Sequence, residues 1–153
     1  LPGLILVAPG MPDFSGGEYN VLAFDYGEAR VGIAVANSLL KIPHPLITVS
    51  AKSIADKLVA ITPLIGKWQP KMLVVGLPEV SDNPQKIQLI NTIKNFAGKL
   101  QKQFDLPVEL VDESLTSSNA SFQLTQQGVN GKKQKVALDQ LAACGILETF
   151  FAR

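Results

Sequence analysis

The chain has 153 residues, 46% of them hydrophobic and 18% charged, with a formal net charge of +1. This is enough for one well-buried core and too short for two ordinary domains, and it excludes a disordered body and a surface built wholly on positive charge. One cysteine and one histidine exclude a disulfide scaffold within the chain, make a structural zinc site improbable and fit a reducing compartment.

The chain opens with a short apolar run, Leu4-Ile5-Leu6-Val7-Ala8, far too short to cross a bilayer. Pro2 and Pro9-Gly10 bracket it and no basic segment precedes it, so a signal peptide is not expected. Residues 1–19 read as an extension outside the core fold. An unpaired apolar run of this kind is expected to dock as an added strand or an extended arm, on its own sheet or on a neighbouring molecule.

Val21-Leu22-Ala23-Phe24-Asp25-Tyr26-Gly27 is apolar on both strand parities, the pattern of a central strand buried on both faces. Glu28-Ala29-Arg30 links it to a second apolar run, Val31 to Ala36, which predicts a hairpin. A third short strand is expected at Leu46 to Val49, with His44 in the constrained loop Ile42-Pro43-His44-Pro45-Leu46 before it. Ser53 can cap a helix through about Lys67, with a kink or break expected at Pro63. Lys71 to Gly76 reads as a buried strand closed by Leu77-Pro78, and Asn83-Pro84 opens a long helix to about Phe104. Leu106 to Asp112 is a fifth strand, followed by a helix from Ser114 or Thr116 to near Gly128. Gly131-Lys132-Lys133-Gln134-Lys135 reads as a polar, basic loop before a last helix from Val136 to Phe151. A hairpin meander followed by strand–helix alternation implies an α/β fold: a five-stranded mixed sheet with helices on both faces.

Asp25 sits where an acid is expensive, because a carboxylate near the end of a buried strand must be paired, hydrogen-bonded or bound to metal. The local alternative is a turn-forming aspartate that caps the link. Glu113 follows the fifth strand directly, and ligands of open α/β sheets gather beyond the carboxyl ends of parallel strands. Asp112 beside it is an alternative candidate. Gly76, between them in the sheet, would let a substrate backbone approach. Asp139 shares a helix face with Ala142, Ala143, Ile146 and Phe150, so the stripe that packs on the sheet carries an acid, unless Lys135 one turn earlier pairs with it. Carboxylates from three separate elements suit Mg²⁺ or Mn²⁺, and such ions can activate water for phosphodiester cleavage without a histidine. Of the 14 basic residues 12 are lysine, and Arg30 is the one internal arginine able to fork onto phosphate or carboxylate, although it also reads as a solvated turn residue. Arg30 with Lys132, Lys133 and Lys135 is the expected nucleic-acid contact set. Cys144, among small residues in a helical pattern, is expected to be buried and inert.

Phe24-Asp25-Tyr26-Gly27-Glu28-Ala29-Arg30-Val31-Gly32-Ile33-Ala34-Val35 resembles the opening motif of the YqgF type of bacterial protein, a family described as Holliday-junction-resolvase-like or as a pre-16S rRNA nuclease. Val74-Val75-Gly76-Leu77-Pro78, Asp112-Glu113-Ser114-Leu115-Thr116-Ser117 and Leu138-Asp139-Gln140-Leu141-Ala142-Ala143 match its later motifs in order. The resemblance runs from about residue 20 to the end. It implies an RNase H-like domain over 20–153, a cytoplasmic location, and a metal-dependent nuclease that matures the 5′ end of 16S rRNA. Its acidic triad maps onto Asp25, Glu113 and Asp139. The partner is then structured RNA, with branched DNA as the alternative, and a monomer or weak homodimer is expected. Two positions depart from the family pattern: Ser114 stands where arginine is usual, and Glu79-Val80-Ser81-Asp82-Asn83 replaces the usual stretch after Gly-Leu-Pro. Rival readings are a DNA junction resolvase, which needs a symmetric dimer, and a catalytically inactive nucleic-acid-binding module, against which the three inward acids argue. The Asp25-x-Gly27 hairpin also resembles the phosphate motif of actin-like kinases, but the chain is too short for their second lobe.

Overall fold

The computed structural model describes residues 5–6, 17–112 and 131–153, with side chains described at 17–112 and 136–153. Six strands form one mixed sheet: β1 (Ile5–Leu6), β2 (Asn20–Tyr26), β3 (Arg30–Asn37), β4 (His44–Ser50), β5 (Met72–Leu77) and β6 (Val108–Asp112), in the spatial order β1-β6-β5-β2-β3-β4. β2, β5 and β6 are parallel neighbours, and β2, β3 and β4 form the antiparallel meander. The five strands expected are all present. The sixth is the two-residue β1, which pairs antiparallel with the edge of β6, Ile5 opposite Glu109.

Among the described residues three helices pack on the sheet: α1 (Ile54–Trp68), α2 (Pro84–Phe104) and α3 (Gly131–Phe151). Period-two alternation along the central strands divides their side chains between two cores. Leu22, Phe24, Ile33, Leu73 and Val75 meet Ile61, Ile93, Phe96 and Leu100 of α1 and α2. Val21, Ala23, Ala34, Ala36 and Val74 meet Ala143, Ile146, Leu147 and Phe150 of α3. The second core is rich in alanine, so α3 lies close on the sheet.

The helix starts follow from capping. Ser53 accepts a hydrogen bond from the Asp56 amide at 3.0 Å, and Asn83 accepts one from the Gln85 amide at 2.8 Å. Three sequence expectations need correction. α1 runs unbroken through Pro63, whose missing N–H strands only the carbonyl of Val59, a residue 69% exposed and within reach of water. β4 begins at His44, so the loop expected around that histidine is shorter. The basic stretch 131–135 is the first part of α3 and not a loop, because lysine and glutamine are good helix formers and no breaker separates them from Val136. The helix expected between Ser114 and Gly128 lies outside the described residues.

Candidate active site

The carboxyl ends of β2, β5 and β6 lie side by side, and one row of residues crosses them on the α3 face. Asp25 is paired with Gly32, and Gly32 with Thr48. On the other side Gly76, one residue beyond the Phe24–Val75 pair, is matched with Val111. Directly opposed residues project to the same face of a sheet. Asp25 therefore stands between two glycines in this row, neither of which contributes a side chain of its own.

α3 crosses this row. A Cβ on Gly32 would lie 2.1 Å from the Asp139 carbonyl oxygen and 2.8 Å from the Asp139 Cβ. Only glycine at 32 lets Asp139 settle there, one strand away from Asp25. Thr48 secures the crossing: its hydroxyl donates to the Val136 carbonyl at 3.0 Å and accepts from the Gln140 amide at 3.2 Å. Arg30 is two residues from Gly32 along β3, on the same face, and its Nε donates to Asp139 Oδ2 at 2.7 Å. Of the two partners expected for its guanidinium, phosphate or carboxylate, the carboxylate is the one it holds here.

The structure thus brings Asp25, Asp139 and Arg30 together on one face. Asp112 belongs to the other face, since Val111 packs with α3 and alternation turns Asp112 away, so it does not share a face with Asp25. Glu113 lies outside the described residues, as do the side chains of Lys132, Lys133 and Lys135, whose backbone forms the first turn of α3. Among the described residues no group of three acids, histidines or cysteines stands close enough to hold a metal. The donor chemistry nevertheless fits Mg²⁺ or Mn²⁺: Asp25 and Asp139 stand on one face of the sheet a strand apart, and hard oxygen ligands are what those ions take. Cys144 is buried as expected, and burial, helped by the nearby Glu148, pushes its thiol up to about 11, the reverse of a nucleophile.

Two charged residues escaped the sequence reading. Lys57 on α1 is fully buried, and its Nζ donates to the carbonyls of Glu28 and Lys52. Glu109 on β6 is also fully buried and pairs with Arg153, whose Nε donates to the Phe150 carbonyl at 2.9 Å. Helical spacing could have found Lys57, which shares the apolar stripe of α1 with Ile54 and Ile61, and strand parity could have found Glu109, which shares a face with Val111.

Comparison with known proteins gives the family and the fold. The RuvX family, described as Holliday junction resolvase, matches residues 19–153. A protein of Methylobacillus flagellatus named "Putative pre-16S rRNA nuclease" is 48% identical over 131 residues, covering 86% of this chain and 89% of its own. A protein of the same name from Chromobacterium violaceum is 47% identical, covering 85% of this chain and 95% of its own. Among solved structures, Thermus thermophilus RuvC bound to a Holliday junction substrate superposes with a TM-score of 0.56 at 13% identity, covering 88% of this chain and 95% of that one. The yeast mitochondrial Holliday junction resolvase Ydc2 gives 0.50 at 12% identity, covering 86% and 77%. At such identities the likeness speaks for the fold alone, which is RNase H-like. With a match over residues 19–153 and relatives near half identity along most of its length, the chain belongs to the RuvX family.

Proposed function

We propose that this chain is a metal-dependent phosphodiester-cleaving nuclease that processes the 5′ end of pre-16S rRNA in the cytoplasm, with Asp25, Glu113 and Asp139 as its acidic triad. The observation that carries the reading is the row in which Asp25 stands between Gly76 and Gly32 while α3 sets Asp139 over Gly32. Two acids set together on one face are of no use to a plain phosphate binder and suit a cation that meets phosphate there. The names of the 48% and 47% identical relatives supply the RNA substrate. No helix among the described residues is long and apolar enough to cross a membrane.

Asp25 and Asp139, with Glu113, would hold Mg²⁺ or Mn²⁺. That ion would sharpen an attacking water and neutralise charge on the leaving oxygen. The protein's own work is positional. Gly32 gives its space to Asp139, and Gly76, without a Cβ, would let the substrate backbone approach Asp25. Arg30 fixes the carboxylate of Asp139 through Nε, and its outer guanidinium nitrogens can meet a phosphate oxygen of the strand. Lys132, Lys133 and Lys135, at the start of α3, add sequence-independent attraction that weakens with salt.

The test is cleavage of defined RNA and DNA substrates with Mn²⁺, comparing wild type with Asp25→Asn. Cleavage of the RNA by wild type and its loss in the variant is the expected result. Equal cleavage by both proteins refutes the site. The family description and the RuvC likeness favour one rival, cutting of branched DNA. Preferential cleavage of a four-way junction by a stable dimer would establish it in place of the RNA reading, whereas a monomer or weak homodimer is expected.

A further inference from the structure

We infer that Lys57 is a positioning residue for this site: its buried ammonium fixes the β2–β3 link so that Arg30 reaches Asp139, an inference that rests on the nuclease reading for its functional consequence. A lysine with no exposed surface is rare, because its charge must recover the lost hydration from fixed partners. Lys57 has three. Its Nζ donates to the Glu28 carbonyl at 2.6 Å and to the Lys52 carbonyl at 2.8 Å, and it lies 5.0 Å from the centroid of the Tyr26 ring. Two of these, Tyr26 and Glu28, belong to the short stretch that joins Asp25 to Arg30.

The link is otherwise lightly held. The Gly27 amide donates to the Arg30 carbonyl at 2.8 Å, closing the turn, and the Ala51 amide donates to the Ala29 carbonyl at 3.1 Å. Glu28 and Ala29 are exposed. Lys57 therefore ties the turn down to α1 on one face of the sheet, while Arg30 at its far end reaches α3 on the other face. The chain of contacts runs from the Lys57 ammonium to the Glu28 carbonyl, through two residues of backbone to Arg30, and from Arg30 Nε to Asp139 Oδ2. A loosened turn frees Arg30 and, with it, the orientation of Asp139. Burial holds the ammonium below the usual lysine range while the Glu28 charge opposes the shift, as expected for a cation held by dipoles.

The test replaces Lys57 with methionine, which keeps the stem and removes the charge with its donors. Three readings are taken on folded full-length protein: amide hydrogen exchange at Gly27 and Ala51 without metal, the slowly exchanging Nε–H signal of Arg30, and the Mn²⁺-induced rise in melting temperature with kcat and KM on RNA. Exchange at the two amides should speed up by about tenfold or more, and the Arg30 signal should be lost. The Mn²⁺ shift should shrink, and kcat should fall about tenfold or more with KM little changed. Lys57→Arg, which keeps charge and donors, should restore the Arg30 signal. Lys57→Gln supplies the same readings should Lys57→Met not fold. An unchanged Arg30 signal overturns the inference, and so does a loosened turn that leaves both kcat and the Mn²⁺ shift untouched. Failure of the nuclease reading looks different: wild type itself then shows neither Mn²⁺ shift nor cleavage, while the Arg30 signal still reports on Lys57.

Discussion

Gly32→Ala is the smallest change that should disable the site without touching a charged group. The added Cβ would lie 2.1 Å from the Asp139 carbonyl oxygen, 2.3 Å from its carbonyl carbon and 2.8 Å from its Cβ, whereas ordinary contact begins near 3.4 Å. Two of those atoms are helix backbone, so no rotamer change relieves the clash, and α3 must lift by about 1 Å or more over Asp139. Overpacking of this kind costs about 1–3 kcal/mol. For a chain of this size that lowers the melting temperature by roughly 3–10 °C. The larger effect falls on activity. Lifting Asp139 stretches its 2.7 Å bond to Arg30 and moves its carboxylate from Asp25, and a displacement near 1 Å can cost about 100-fold in rate. Gly66→Ala is the matched control. A Cβ there meets nothing within 4 Å, and alanine in a helix interior should leave the protein equally stable or about 0.5–1 kcal/mol more stable. Thermal melts and Mn²⁺-dependent cleavage of the two variants settle the matter. Gly32→Ala protein that melts and cuts like wild type would show that α3 does not owe its place to that glycine.

Cys144 should make stability fall with alkali. Its folded pKa is raised from 9.0 to about 11, so the native state keeps a proton that the unfolded chain has lost, and on the order of 2–3 kcal/mol drains away between those values. Urea midpoints at pH 8 to 11 should therefore fall more steeply in wild type than in Cys144→Ala, and parallel slopes would refute the shift. Arg153→Ala should destabilise strongly, by about 3–5 kcal/mol, since it leaves the fully buried Glu109 carboxylate without its counter-charge, and Oε2 already lacks a hydrogen-bond partner among the described residues. The double variant Arg153→Ala, Glu109→Gln should recover much of that loss in denaturant titration, and a double variant no more stable than the single would show that the pair's charge is not what matters.

What could be read from the sequence divides along physical lines. Strands β2, β3 and β5 were legible because unbroken apolar runs have no other use in a short chain, and Ser53 and Asn83-Pro84 announced the helix starts through their own side-chain chemistry. The partner face of α3 was legible too: Ala142, Ala143, Ile146 and Phe150 recur at helical spacing and are all buried. Local preference says little about what happens between elements. Pro63 reads as a breaker, yet the helix survives with the carbonyl it strands on Val59, an exposed residue. Lys57 shares the apolar stripe of α1 with Ile54 and Ile61, but nothing near it in sequence foretells the Glu28 carbonyl 29 residues away. Arg30 presents the sharpest case. Spacing placed it near Asp25 and its guanidinium suited phosphate or carboxylate, and the carboxylate it holds, at 2.7 Å, is that of Asp139, 109 residues further along. That bond forms because Gly32, two residues on, has no side chain and admits α3 to the sheet. Gly32 contributes nothing that a chemist would place in an active site. It decides, by having no Cβ, that two acids and an arginine from distant parts of the chain stand on one face.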